Sequence, residues 1–248
     1  LDGVRCIASI TQSGDVTLTS RGGKTYPVPK HIGKALALLK HRSGINIFDG
    51  ELYIHGLPLQ DIVSCVKKEN VNTPRLEFHI FDIPHGINQW SSRLAELNRA
   101  KSVNECKCLH FVPNKLCSNE EDARKHLQEW VELGFEGLMI RNEYGRYEFN
   151  HRSADLQKWK LMQDLEAKVV DLEEDKNGEA VCICELKNKI QFKCKMKGTH
   201  EQREYRNSKH LIGKWITVQY QALTKDGVPQ FPVGLRIREC DSEGNPIE

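Results

Sequence analysis

The sequence predicts an α+β core followed by a small all-β barrel, and three observations carry that expectation. Up to about residue 165, strand-like runs alternate with amphipathic helical stretches. From residue 166 onward the pattern changes to short strand candidates separated by turn signals. The chain has 248 residues, 39% of them hydrophobic and 28% charged, which is ordinary globular usage and enough for two cores. The expected domains are therefore residues 1–165, with mixed or antiparallel sheets, and residues 166–248, with a barrel.

Val4–Ile10 and Val16–Ser20 flank the turn signal Ser13-Gly14-Asp15 and read as a hairpin. Lys30–His41 puts Ile32, Ala35, Leu36 and Leu39 on one face at i, i+3, i+4 and i+7, the period of a helix packed on a sheet. Ile45–Ile54 and the short apolar run Leu76–Ile83 read as strands. Ser118-Asn119-Glu120-Glu121 resembles a capping box before a helix whose Ala123, Leu127, Trp130 and Val131 share a face, and Gly134 ends it.

Five strand candidates follow: Ala167–Leu172, Glu179–Leu186, Ile190–Lys197, Trp215–Leu223 and Gly234–Arg238, with turn signals at Lys176-Asn177-Gly178 and Lys225-Asp226-Gly227. The OB-fold is the commonest small barrel of this kind that handles nucleic acid. Within Ile190–Lys197 the even positions are apolar, whereas Lys193, Lys195 and Lys197 share the other face at a spacing of about 6–7 Å, close to that of backbone phosphates. A solvated, edge-protecting lysine face fits the same pattern equally well.

Whole-chain charge is uninformative, because 36 Lys+Arg against 34 Asp+Glu leave only +2, so any basic surface must be local. No apolar run approaches the roughly 18–20 residues of a membrane helix, and no membrane partner is expected. The nine cysteines are scattered, odd in number and without a C-x-x-C pair, which argues against a disulfide framework and for a reducing compartment: cytoplasm, nucleoid or nucleus. Cys106/Cys108 and Cys182/Cys184 have strand spacing and read as small half-buried hydrophobes rather than zinc ligands. Leu1-Asp2-Gly3 looks like the middle of a strand, so any targeting segment is expected upstream.

Four segments combine charge with strand ends and turns: Leu1-Asp2-Gly3-Val4-Arg5, Asp49-Gly50-Glu51-Leu52, Glu136-Gly137-Leu138-Met139-Ile140-Arg141 and Lys158-Trp159-Lys160. Each alone is an ordinary turn or surface pair. Together they supply carboxylates for a divalent metal and cations for a phosphate chain, the equipment of phosphoryl or nucleotidyl transfer. No G-x-x-x-x-G-K-[ST] run is present, and Gly22-Gly23-Lys24 lacks its spacing, so a P-loop is excluded.

In order and spacing these segments resemble the ATP-dependent DNA ligases, in particular the minimal viral and bacteriophage kind, in which a nucleotidyltransferase domain precedes an OB domain. The likeness covers nearly the whole chain. The family's first motif is K-x-D-G-x-R, of which Leu1 to Arg5 is everything after the lysine, so the resemblance implies a nucleophilic lysine immediately before Leu1. Such an amine must be neutral to attack the α-phosphorus of ATP, and neighbouring cations lower its pKa from about 10.4.

By the same resemblance, Lys158 and Lys160 contact the AMP phosphate and act in transfer, Arg5 binds the nucleotide, Glu51 accepts a hydrogen bond from the ribose, and Phe81 stacks on adenine. A buried core phenylalanine is the alternative reading of Phe81. Glu136 is implied as a ligand of Mg2+ or Mn2+, with Asp49 supporting the metal region. Arg21 and Arg152 are implied to hold the 5′-phosphate of a DNA nick, although His151 stands where the family has glycine before its arginine. In the OB domain, Arg236 and Arg238 match the strand that orients pyrophosphate, with the choice between them open, and Lys193, Lys195, Arg236 and Arg238 are candidates for DNA contact.

The implied activity is sealing of 5′-phosphate/3′-hydroxyl nicks in duplex DNA through lysyl-AMP and DNA-adenylate intermediates, by a monomer serving replication, repair or recombination, in a host cell or encoded by a virus. An RNA ligase, an mRNA-capping guanylyltransferase using GTP, and a non-catalytic nucleic-acid-binding module derived from a ligase are the alternatives.

Overall fold

The computed structural model describes every residue except His85, Lys225, Ser242 and Glu248. Two units make up the chain, Leu1–Trp159 and Lys160–Glu248.

In the first unit, β1 (Val4–Ile10), β2 (Val16–Thr19), β3 (Thr25–Tyr26), β4 (Ile47–Tyr53), β5 (Glu77–Asp82) and β6 (Leu109–Phe111) form one sheet in the order β3-β2-β1-β4-β5-β6. All neighbours are antiparallel except β5 and β6, so the sheet is mixed. Helix α1 (Lys30–Ser43) buries Ile32, Ala35, Leu36 and Leu39, the four positions its period predicts, and stops where Gly44 turns left-handed at φ 76°. Cys6, Ala8 and Ile10 of β1 and Phe48 and Leu52 of β4 belong to the same core.

Two further helices had not been expected. Helix α2 (Leu59–Lys67) buries Ile62, Cys65 and Val66, and α3 (Trp90–Ser102) buries Trp90, Arg93, Leu97 and Ala100. An arginine inside the buried stripe of α3 breaks the apolar period that would reveal it.

Strand β5 is also not apolar throughout. Glu77, His79 and Phe81 alternate as a half-buried face against buried Phe78, Ile80 and Asp82. Helix α4 (Glu120–Glu132) begins one residue later than the capping box suggested: Asn119 accepts from the Asp122 amide at 2.9 Å, because its own side chain reaches the third helical N–H. Of its expected face, Ala123 and Leu127 are buried and Trp130 and Val131 only partly so. Cys106 and Cys108 lie in the turn before β6, not in a strand, whereas Cys182 and Cys184 are buried in a strand, and all nine cysteines are free. Strands β7 (Leu138–Arg141) and β8 (Leu156–Trp159) pair separately as a hairpin.

The second unit contains β9 (Gln163–Glu174), β10 (Ala180–Glu185), β11 (Gln191–Met196), β12 (Trp215–Tyr220) and β13 (Val233–Arg238), closed into a barrel in the order β10-β11-β13-β12-β9. Its interior holds Ala167, Val169, Cys182, Cys184, Phe192, Cys194, Ile216 and Val218. Short helices α5 (His200–Arg203) and α6 (Tyr205–Ser208) connect β11 to β12. The Lys176-Asn177-Gly178 turn closes through Gly178, whose N–H donates to Asp175 O at 3.0 Å. Lys225 of the second turn signal lies outside the described residues, while the Gly227 N–H donates to Thr224 O at 2.9 Å. Among the described residues no helix is long and apolar enough to cross a membrane.

Candidate active site

Strand register assembles the first group of charged residues. Antiparallel pairing sets Arg5 of β1 opposite Glu51 of β4, and Glu51 in turn opposite His79 of β5. Between Asp49 and Gly50 the β4–β5 register shifts, from Asp49↔Asp82 to Gly50↔Ile80. Phe81 thus occupies a bulge, a device that re-aims a side chain. The Arg5 guanidinium lies 5.5 Å from the centre of the Phe81 ring, within cation–π range.

Glycine is required at two points in this group. A Cβ on Gly50 would stand 2.6 Å from the Phe78 ring and 2.7 Å from His79 O, and one on Gly3 would meet Leu52 O at 2.5 Å. The close approach at Gly3 lets its N–H donate to Glu51 Oε1 at 2.5 Å.

Asp49 is fully buried and its oxygens are occupied. Arg5 Nε donates to Oδ1 at 3.0 Å, Arg5 Nη2 to Oδ2 at 2.5 Å, and Tyr147 OH to Oδ2 at 2.8 Å. An enclosed carboxylate with these three donors positions Arg5. Burial opposes the charge on Arg5, but the hydrogen bonds and charge of Asp49 more than offset it, and its pKa is raised. Burial, then Asp49, pushes the Tyr147 phenol up as well.

Beyond Asp49 lies a set of partners that sequence reasoning missed. Asp82, 2% exposed, accepts from Arg93 Nε at 2.7 Å and Arg141 Nη1 at 2.6 Å. Arg141 stacks 4.0 Å over the Trp90 ring and also donates to Phe81 O at 3.3 Å, tying the bulge to β7. Burial is the largest influence on Arg141 and lowers its pKa, against the pull of Asp82.

Glu136 lies two residues before the start of β7, and Lys158 of β8 faces it across the hairpin with Nζ 2.9 Å from Oε2. Burial raises the pKa of Glu51, the Gly3 N–H lowers it, and Glu136 and Lys158 act on it in opposite directions. Glu51, Glu136 and Lys158 are thus electrostatic neighbours. Two carboxylates beside a lysine offer oxygen donors of the kind a hard divalent cation takes.

Of the expected residues, Arg5, Asp49, Glu51, Phe81, Glu136 and Lys158 come together. Arg21 is exposed in the loop between β2 and β3, and Arg152 is exposed in the loop between β7 and β8. Strand β8 ends at Trp159, so Lys160 belongs to the second unit, where its Nζ meets Gln221 Oε1 and lies 5.7 Å from the Phe231 ring.

The remaining candidates are also in the second unit. Arg236 is exposed and Arg238 half-buried, and Arg238 Nε is buried without a hydrogen-bond partner among the described residues. Lys193 pairs with Glu173 at 2.5 Å, and Lys195 with Asp175 at 2.6 Å and Glu179 at 2.5 Å. Carboxylates of the same unit thus already pair with two of the three ammonium groups in the row. The hydrogen bond from Lys195 is the first of several that hold Glu179 down to about 2, followed by those from His200 and Arg203.

Residues 1–160 match the family model of the ATP dependent DNA ligase domain, and residues 177–238 that of the DNA ligase OB-like domain. A DNA ligase of African swine fever virus is 31% identical over 260 residues, covering 96% of this chain and 62% of its own length. The chain thus spans about three-fifths of that viral relative. The DNA ligase of Enterobacteria phage T4 is 24% identical over 194 residues, covering 68% of this chain and 38% of its own. Among solved structures, one from a study of Lig E DNA ligases superposes with TM-score 0.75 at 26% identity, covering 96% of this chain and 90% of that one. A Chlorella virus DNA ligase-adenylate shares the fold at TM-score 0.52 and 23% identity, covering 98% and 91%.

Proposed function

The chain belongs to the ATP-dependent DNA ligase family, and from that premise we propose that it seals 5′-phosphate/3′-hydroxyl nicks in duplex DNA, with ATP as the adenylate donor. The observation that carries this reading is the convergence of Glu51, Glu136 and Lys158, with Arg5 opposite Glu51 in the sheet and fixed by Asp49.

The attacking amine is that of a lysine preceding Leu1 in the same motif as Asp2, Gly3 and Arg5. Its nitrogen bonds to the α-phosphorus of ATP as the bond to pyrophosphate breaks. The nick's 5′-phosphate oxygen then displaces that nitrogen, and finally the 3′-hydroxyl attacks the 5′-phosphorus, losing its proton as AMP leaves. Glu51 orients the ribose, Phe81 covers the adenine, and Arg5 and Lys158 meet charge on the transferred phosphate. Glu136, with Glu51 nearby, would hold Mg2+ or Mn2+, which supplies charge neutralisation at the phosphates when bound. Arg21 and Arg152 are assigned to the nick's 5′-phosphate, and Lys160 with Arg236 or Arg238 to the phosphates handled by the barrel. The protein acts as a monomer in a reducing compartment, consistent with nine free cysteines.

Incubation of the full-length protein with α-labelled ATP or GTP, followed by a chase with nicked duplex DNA, tests the proposal. Label from ATP alone, discharged into sealed DNA, is expected. Label from GTP would point to a capping enzyme, discharge only onto RNA ends to an RNA ligase, and no label to a binding module.

A further inference from the structure

Apart from the groups proposed for nucleotidyl transfer, three potential metal ligands meet where β5 pairs with the edge strand β6. Parallel register sets His79 beside His110, and Glu77 shares their face because it precedes His79 by two residues. One ligand atom from each of the three lies within 4.8 Å of the others. Glu77 Oε2 is 3.0 Å from His79 Nε2, and Glu77 Oε1 is 3.2 Å from His110 Nε2.

The two imidazoles stack at 4.8 Å with an 18° tilt, and Tyr53 packs edge-on against His79 at 5.2 Å. Glu77 and His79 are half-buried and His110 is exposed, so the cluster is restrained on one side and open on the other. A structural role for Glu77 as acceptor for both rings accounts for the two short contacts. A shared cation would occupy the same position, because both Nε2 atoms and both carboxylate oxygens converge there. A single divalent cation removes the need for either proton and uses the lone pairs directed at the carboxylate.

We propose that Glu77, His79 and His110 form a zinc-class divalent cation site with an open position for water. Two imidazole nitrogens and one carboxylate oxygen suit borderline cations such as Zn2+ and Co2+, whereas Mg2+ prefers an all-oxygen set. Tyr53 supplies the outer support that orients the His79 ring. The site needs none of the residues assigned to adenylate transfer, so it stands or falls apart from that activity.

The test is calorimetric titration of chelator-stripped, tag-free full-length protein with Zn2+, with Co2+ absorption as the geometric readout. Wild type should take up one Zn2+ equivalent that His110→Ala and Glu77→Gln each lose or bind at least about tenfold more weakly. Its Co2+ complex should show visible absorption without thiolate charge transfer, and Cys117→Ser should match wild type. Since His110 is exposed, its variant should unfold at the wild-type temperature in chelator, and only wild type should gain thermal stability with Zn2+. Equal uptake by wild type and His110→Ala, or a thiolate spectrum, would overturn the site.

Discussion

Arg5 and Asp49 meet through two hydrogen bonds, 3.0 Å from Nε and 2.5 Å from Nη2, and Tyr147 holds the same carboxylate at 2.8 Å. Removing Asp49 leaves a guanidinium and a phenol facing an enclosed gap. Asp49→Ala should therefore destabilise the chain toward the lower end of the about 3–5 kcal/mol typical of a broken buried pair, because Arg5 is partly open to solvent. Tyr147→Phe, which loses one bond to a charged acceptor, should cost about 1.5–3 kcal/mol. Urea unfolding of both variants gives the comparison, and a smaller loss for Asp49→Ala than for Tyr147→Phe would contradict this order.

Glu136→Ala should nearly abolish metal-dependent sealing while leaving circular dichroism and unfolding close to wild type. Lys158 loses its 2.9 Å partner but is half-exposed and stays hydrated. Undiminished sealing by the variant would remove Glu136 from the site.

Gly50→Ala brings a Cβ to 2.6 Å from the Phe78 ring and 2.7 Å from His79 O, and the backbone oxygen has no rotamer with which to yield. A loss of about 1–3 kcal/mol is expected from overpacking. Because Phe81 and Glu51 sit on the strands that must part, ATP affinity should fall too. Calorimetric unfolding together with nucleotide titration measures both effects, and a neutral substitution would show that the strands separate freely.

In the barrel, Lys195 holds Asp175 and Glu179 each at about 2, below their ordinary values. A carboxylate whose folded pKa is depressed contributes stability above its unfolded pKa, and that stability is lost as pH falls toward the folded value. Acid unfolding should accordingly draw on this cluster between about pH 4.5 and 2, and Lys195→Ala should move the transition to higher pH. The same lysines are already paired, so Lys193→Ala with Lys195→Ala should leave the salt dependence of DNA affinity nearly unchanged. A slope flattened by about two charges would restore the phosphate-binding role.

Local periods made part of the fold legible. Strand β1 and the buried face of α1 follow from alternation and from i, i+3, i+4, i+7 spacing, and the barrel strands from short runs between turns. Helix α3 was hidden because Arg93 sits among its buried positions, where it serves Asp82 rather than solvent. At the site, Asp49, Glu51, Glu136 and Lys158 were visible as charged residues of short segments whose order resembles one family. Their supporting partners were not, because Tyr147 lies 98 residues from Asp49 and Arg141 lies 59 from Asp82. Nor does strand alternation tell which carboxylates face Lys193 and Lys195, since that depends on how neighbouring strands of the closed barrel align.

Intact mass of the full-length protein after exposure to ATP and Mg2+ bears most directly on covalent adenylate transfer. A gain of one adenylate is expected, located by fragmentation on a lysine directly preceding Leu1, removed by pyrophosphate and absent when that lysine is replaced by alanine. An unchanged mass, or adenylate on a different side chain, would contradict it.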